Sequence, residues 1–554
     1  MRKVITSTFI FGFFLLFSCE DKSTDGTPGK IDNLFRHWDN PNSPGAAIAV
    51  IKDGHIVFTK GYGMANLEYN IPITPSSIFH IASESKQYTA FCIVLLAQEG
   101  KLSLDDDIRK HLPYVPDFGK TITIRHLIYH TSGLRDQWQM LAIGGQAIDD
   151  VIKQEHVVKL VEKQRDLNFE PGTRSLYCNT GYTLLAEIVK KVSGKSLREY
   201  ADEKIFKPLG MENTHFHDDN TEIVKGRTYS YDSTSKDKFA NSPLNYAIIG
   251  ATSLFTTVED EAKWLNNYET GKVGGKDAVN QMYQQAILNN GKKLDYAFAI
   301  VIDSVNGYQR IGHGGADAGY RTYAVRFPEE KLGIVIFSNL GQFDPHGLAT
   351  KVAELYLPKR ESSKKTMAEI ESDRSLYKFY KGSYCTPEGN LQIVDSTDLY
   401  VKFGPQSFVL TPLSDTSFSL FDGYAKLIFA KDEKPSGKFL FVTNDDEVVF
   451  IRSEKPVLKD ADLTGYLGTY VSSELDAQYE IVKDSSKLIL RHRKYPDVTL
   501  EAITVNQFST PHWWMSNILF KRNSKDEILG FEVNCDRVLH LEFQKQPTSK
   551  SGNH

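Results

Sequence analysis

Two alternating runs joined by Asp53-Gly54, in AAIAVIKDGHIVFTKGYG from Ala46, constrain the fold most, because Asp-Gly accepts the positive φ angles of a tight β-hairpin turn. Helical spacing of apolar residues follows over 83–99, 125–130, 181–192 and 259–268. Strand patterns then return at 294–304, 309–313, 320–327 and 333–338, with Pro328-Glu329-Glu330-Lys331 as a turn. Strands at both ends of a helical stretch predict one antiparallel sheet flanked by helices, an α/β (α+β) domain whose sheet is closed by both chain ends.

A chain of 554 residues exceeds what one core supports. Residues 361–374, ESSKKTMAEIESDR, are charged and Ser-rich and read as a linker. Beyond them the pattern is short strands and turns, and Tyr380-Lys381-Gly382-Ser383-Tyr384 recurs as Tyr466-Leu467-Gly468-Thr469-Tyr470. That interval is too long for a solenoid repeat and suits two small all-β, barrel-like domains. The expected division is 1–18 export signal, 19–30 tether, 31–360 mixed domain, 361–374 linker, 375–456 and 457–546 β-domains, and 547–554 tail.

Arg2 and Lys3 precede an apolar run at 4–17, too short to span a bilayer comfortably, so the N-terminus reads as a signal peptide. Leu16-Phe17-Ser18-Cys19 resembles a bacterial lipobox, with Cys19 as the lipidated residue and a polar tether after it. The expectation is an exported, membrane-anchored lipoprotein on the periplasmic side or cell surface. The other cysteines, Cys92, Cys178, Cys385 and Cys535, show neither paired nor regular spacing, so no disulfide framework or zinc site is implied. A net charge of -5 gives no electrostatic case for nucleic acid.

Ser83-Glu84-Ser85-Lys86 is an S-x-x-K motif, weak alone because Ser362–Lys365 also fits it inside the charged linker. Context separates the two. An apolar segment enters at Ile78 and a long helical pattern leaves, so Lys86 lies beside the Ser83 hydroxyl on one helix face. There desolvation and the helix dipole favour a neutral amine. Tyr177-Cys178-Asn179 precedes another helix, and His313-Gly314-Gly315-Ala316 falls on a strand where glycines let a ligand approach the backbone. Singly, the first reads as a capping Asn beside a core tyrosine and the second as a turn.

Together and in this order, the three motifs resemble those of the serine β-lactamase and penicillin-binding-protein superfamily, in the peptidase S12-like branch with class C β-lactamases, DD-peptidases, D-aminopeptidases and related esterases. HIASESKQYTAF, TIRHLIYHTSGL, FEPGTRSLYCNTGYTLLAEIV and KPLGMENTHF are similar too, and the resemblance covers roughly residues 31–357. It implies a β-lactamase/transpeptidase-like fold and a serine hydrolase needing no cofactor or metal. Ser83 becomes the acyl-enzyme nucleophile, Lys86 and Tyr177 a proton-shuttling pair, and Asn179 a partner of Lys86 and the substrate amide. His313 and Gly315 border the cleft, and the Ser83 and Ala316 N–H groups form the oxyanion hole. A phenol ionises near ~10, so Tyr177 needs positive charge nearby, from Lys86 or His313, to act as a base.

The sequence departs from this family at several points. Cys178 stands where Ser is common, a nearly isosteric exchange. His313 replaces the Lys of many β-lactamases, which shifts the expectation from penicillins toward peptides, amides or esters. The deacylating acid of class A enzymes has no counterpart. His126 and His130 have the spacing of a zinc pair but no Glu after the first His and no third ligand, so they read as structural.

The two β-domains resemble D-aminopeptidase architecture, in which a barrel loop shapes the active site. Thr510-Pro511-His512-Trp513-Trp514-Met515 is either that loop or packed core, and adjacent tryptophans favour packing. The expected activity is hydrolysis of a small peptide, amide or ester, with a D-amino-acid-containing peptide as the expected substrate. A class C-type β-lactamase or small-ester esterase are the alternatives. A non-catalytic binding lipoprotein would have no reason to retain Ser83, Lys86, Tyr177, Asn179 and His313 together.

Overall fold

The computed structural model describes residues 26–147, 149–360, 373–404, 406–420, 425–430, 437–443 and 446–547. The export signal with Cys19 and the second S-x-x-K at Ser362–Lys365 lie outside these residues. Among the described residues no helix is long and apolar enough to cross a membrane.

Strands β1 (Ala46–Lys52) and β2 (His55–Tyr62) form the hairpin, with φ of 50° at Asp53 and 82° at Gly54. Short strands β3 (Phe79–His80), β4 (His215–Phe216) and β5 (Leu254–Thr256) pair in the order β3-β5-β4. Strands β6 (Val301–Val305), β7 (Tyr308–Asp317), β8 (Tyr320–Phe327) and β9 (Leu332–Ser338) complete a six-stranded antiparallel sheet, β6-β7-β8-β9-β1-β2. β1 lies on β9 from Ala46 opposite Ser338 to Lys52 opposite Leu332, which joins the two ends of the domain.

The helices that matter for the site are α1 (Thr27–Phe35), α2 (Ser85–Gln98), α3 (Gln137–Ile143), α4 (Asn179–Ser193), α5 (Leu197–Ala201), α6 (Val258–Thr270) and α7 (Pro345–Tyr356). Alternation along β1 divides it between two cores. Ala47, Ala49 and Ile51 face the large helical core, and Ala46, Ile48 and Val50 face a smaller one with α1 and α7. Every residue of α2 from Ser85 to Leu96 is buried, so this helix runs through the middle of the domain with α4 against it.

The strand expected at 294–304 is only partly formed, because the continuous strand begins at Val301 and Tyr296 makes only an isolated bridge back to it. Ala297, Phe298 and Ala299 are instead buried in the helical core as an irregular turn, with Ala299 at a φ of 57°. A continuous apolar run signals burial without specifying a strand.

Nine strands between Gly382 and Ser453 form one antiparallel sheet, and eight between Gly468 and Lys545 close into a barrel. The recurring pentapeptide opens both. Tyr384 Oη donates to Tyr380 O at 2.9 Å, and Tyr470 Oη to Tyr466 O at 2.7 Å. The closed barrel shares its core with α3, where Trp514 and Met515 join Met140, Ala142 and Ile143. Trp514 and Met515 are therefore packed between domains, whereas Trp513 beside them is half exposed.

Arg135, just before α3, fastens this junction. Its buried guanidinium donates to Leu539 O (3.1 Å), His540 O (3.1 Å), Asp166 O (2.8 Å) and the Glu474 carboxylate (2.8 Å). Arg135→Met leaves Glu474 buried and unpaired, a loss typically of about 3–5 kcal/mol. The expected result is a separate, earlier urea transition for the barrel, and an unchanged denaturation curve would refute that role.

Candidate active site

Strand β3 runs into the turn Ala82–Glu84, where Ala82 has a φ of 49°, a left-handed conformation that costs on the order of 1–3 kcal/mol outside glycine. Gly315 of β7 lies directly against this turn. A Cβ at 315 would stand 2.2 Å from Ile81 O and 3.1 Å from the Ala82 Cβ, so only glycine allows the approach. Thr322 Oγ1 adds a hydrogen bond to Ile81 O at 3.1 Å. β6 pairs with β7 only as far as Gly312, so among the described residues no strand covers that edge of His313–Asp317. This edge and Ser83 face one cavity of about 490 Å³, whose lining includes Tyr177, Asn179, His313, Gly315, Ala316 and Asp317. All the site residues expected from the sequence except Lys86 and the lipidation site thus line it.

Lys86 lies just beneath, fully buried, with Nζ 3.0 Å from Ser83 Oγ, 2.8 Å from Asn179 Oδ1 and 2.7 Å from Ala251 O. Burial lowers its pKa to about 7, against the opposing pull of Asp317 and Asp136. The neutral amine has two N–H groups and one lone pair. Asn179 Oδ1 and Ala251 O can only accept, so they take the two hydrogens and leave the lone pair for the Ser83 hydroxyl.

Asp136, which the sequence reading did not single out, fixes this geometry. Its Oδ2 accepts from Asn179 N at 2.6 Å and Asn179 Nδ2 at 2.9 Å, and its Oδ1 from Trp138 N at 3.0 Å. The Asn179 carbonyl must therefore point at Lys86. The Cys178 thiol donates to Leu134 O at 3.3 Å, a bond a serine would also make.

Tyr177 is placed in the cavity wall with its phenol oxygen buried and without a well-formed hydrogen bond. Burial raises its pKa, while the Ser83 hydroxyl and the Arg537 charge oppose that shift. His313 does not supply the cation the sequence reading allowed for. Burial and the Lys86 charge push its pKa down to about 4. The permanent charge comes from Arg537, whose guanidinium lies 4.8 Å from the Tyr177 ring centre and lines the same cavity. Arg537 sits in the turn between the barrel strands Ile528–Cys535 and Val538–Lys545, and its carbonyl accepts from Asp136 N at 3.2 Å and Asn168 Nδ2 at 3.0 Å. A barrel loop does reach the site, but it is this turn and not 510–515.

Behind Tyr177 a hydrogen-bond chain fixes both imidazoles. Cys178 N–H donates to His130 Nδ1 (3.0 Å), so His130 Nε2–H donates to Tyr296 Oη (3.1 Å). Tyr296 then donates to His313 Nε2 (3.2 Å), and His313 Nδ1–H goes to Gly314 O (2.7 Å). His130 also packs against the Tyr177 ring, with centres 4.2 Å apart. His126 is occupied differently, its Nδ1 accepting from Thr123 N–H at a helix cap. The two histidines paired by sequence spacing thus serve separate tasks.

The β-lactamase family model matches residues 31–357. A penicillin-binding protein of Bacillus subtilis is 27% identical over 450 residues, covering 76% of this chain and 98% of that protein. A D-aminopeptidase of Brucella anthropi is 24% identical over 543 residues, 93% of this chain and 98% of its relative. Among solved structures, the octameric penicillin-binding protein homologue from Pyrococcus abyssi superposes with a TM-score of 0.55 and 27% identity, over 76% of this chain and 99% of that one. With the matched segment spanning more than half of its length, the chain belongs to the β-lactamase family and is a serine hydrolase of the superfamily that includes the penicillin-binding proteins.

Proposed function

We propose that the chain hydrolyses short D-amino-acid amides or peptides through an acyl-enzyme on Ser83. The observation that carries this reading is the Lys86 amine, held by two acceptors so that its lone pair meets the Ser83 hydroxyl. Lys86 takes the Ser83 proton as Oγ adds to the substrate carbonyl carbon. The carbonyl oxygen becomes an oxyanion between the Ser83 and Ala316 N–H groups. Tyr177, held protonated by burial, hands its proton to the leaving nitrogen and regains one from Lys86. Water then repeats the sequence on the ester and releases Ser83.

Specificity follows from the two charges on the cavity wall, Asp317 and Arg537. Asp317 Oδ2 is held by His80 Nε2 at 3.1 Å and by the Thr252 hydroxyl, and His80 and Thr252 keep its pKa below the usual carboxylate range. A short peptide with free termini complements both poles. The relatives named D-aminopeptidase support substrates of D configuration.

Incubation with a fluorophosphonate and with a fluorescent penicillin, followed by peptide mass spectrometry, tests the acyl-enzyme. Rates on D- and L-aminoacyl amides, peptides and esters then test the substrate class. A Ser83 adduct and a D over L preference of at least about 10² are expected, because a misplaced scissile carbonyl loses the oriented attack. No adduct from either probe overturns the reading, and rapid penicillin turnover or preference for esters moves it to the β-lactamase or esterase alternative. The same proposal places the chain outside the cytoplasm on a Cys19 lipid, supported by the lipobox-like LFSC. Cys19→Ala should leave the membrane fraction, and unchanged fractionation would count against anchoring.

A further inference from the structure

We infer that His215, His217 and Glu222 form a binding site for one divalent transition-metal ion, separate from the Ser83 cavity. His215 and His217 flank Phe216 at β4, and strand alternation turns both imidazoles to one side while Phe216 enters the core. His215 Nε2 and His217 Nδ1 are buried and make no hydrogen bond. The His217 side chain is 2% exposed, yet its Nδ1 stands 3.6 Å from Glu222 Oε2. His215 Nε2 is 4.0 Å from the same oxygen, and the three ligand atoms all lie within 4.8 Å of one another. Those separations are too long for hydrogen bonds between the groups. Three lone-pair atoms converging without a shared proton are what a cation would draw together.

Metal bonds of about 2.0–2.2 Å place tetrahedral ligand atoms roughly 3.3 Å apart, within reach of small side-chain rotations here. Two imidazoles and one carboxylate favour zinc and its neighbours over magnesium or calcium. Glu222 is already oriented, since Arg198 of α5 grips Oε2 at 2.6 Å and Oε1 at 2.8 Å. A carboxylate has about four lone-pair sites, so this grip leaves room for a metal bond and has the form of an outer-shell contact. The opposing charges of Arg198 and Arg227 are offset by Asp218, Asp219 and Glu222. An ion here would tie β4 to the 218–222 loop, next to the backbone that holds Lys86, since His217 N–H bonds Ser253 O at 2.8 Å.

The test uses the full chain, stripped with a chelator, reloaded with Zn²⁺ and passed through gel filtration before the metal is counted. One zinc per chain, a Tm raised by several degrees with Zn²⁺ but not Mg²⁺, and loss of both in His217→Asn are expected. Ser83→Ala, which leaves the cluster untouched, should retain the ion. Cobalt substitution of the wild-type chain gives a second reading that needs no variant, through a visible absorption band displaced by zinc. No retained zinc, or equal retention by wild type and a folded His217→Asn, would overturn the inference; a water bridging the three groups gives the first of these results.

Discussion

Ser83→Ala should lower kcat/KM for the best amide by about 10⁴–10⁶ while leaving the fold intact, since loss of a nucleophile in a serine hydrolase costs on that order and leaves only binding and oxyanion stabilisation. The fold is spared because the Ser83 hydroxyl holds nothing structural. Its hydrogen-bond partner is Lys86, which keeps Asn179 Oδ1 and Ala251 O when Oγ is removed. Circular dichroism and Tm should match wild type, and the fluorophosphonate label should vanish. Residual activity within tenfold of wild type would sink the acyl-enzyme reading.

Lys86→Met should lower kcat/KM by about 10²–10⁴, the usual contribution of a positioned base, and should also remove a pH dependence from both rate and stability. In wild type, kcat/KM should rise with pH to a plateau with a midpoint at about 7, where the buried amine loses its proton. His313 is neutral down to about 4, so it adds no limb near neutrality. For stability the amine pKa is depressed in the folded chain, so between about 7 and 10.5 the unfolded chain binds the extra proton. Stability from this group therefore rises with pH across that window, and below it the buried charge costs on the order of 5 kcal/mol. Urea denaturation at pH 6, 8 and 9.5 should show this rise in wild type and not in Lys86→Met. A rate limb that persists in Lys86→Met would move the base to Tyr177.

Much of the site was legible because its parts are local. Ser83 and Lys86 are one helical turn apart, Tyr177 and Asn179 flank the start of α4, and His313, Gly315 and Ala316 fall in one run of β7. What escaped the sequence reading is non-local. Asp136 precedes a helix as an ordinary cap, Tyr296 lies in an apolar run that looked like strand, and Arg537 is one basic residue in a distant hairpin. His215-Phe216-His217 does carry a signal of its own, an H-x-H at strand spacing.

The sequence by itself determined that Ser83 and Lys86 are neighbours, that Asp53-Gly54 turns a hairpin, and that strands from both ends close one sheet. The first two follow from residue spacing and backbone preference, which act over a few positions, and the third from strand patterns standing at both ends of a helical stretch. Only the tertiary structure decided that Lys86 is poised to lose its proton, that His313 is neutral and that Arg537 supplies the charge beside Tyr177. Those properties come from burial and from charges on groups far apart in the chain, and neither exists until the fold sets the distances.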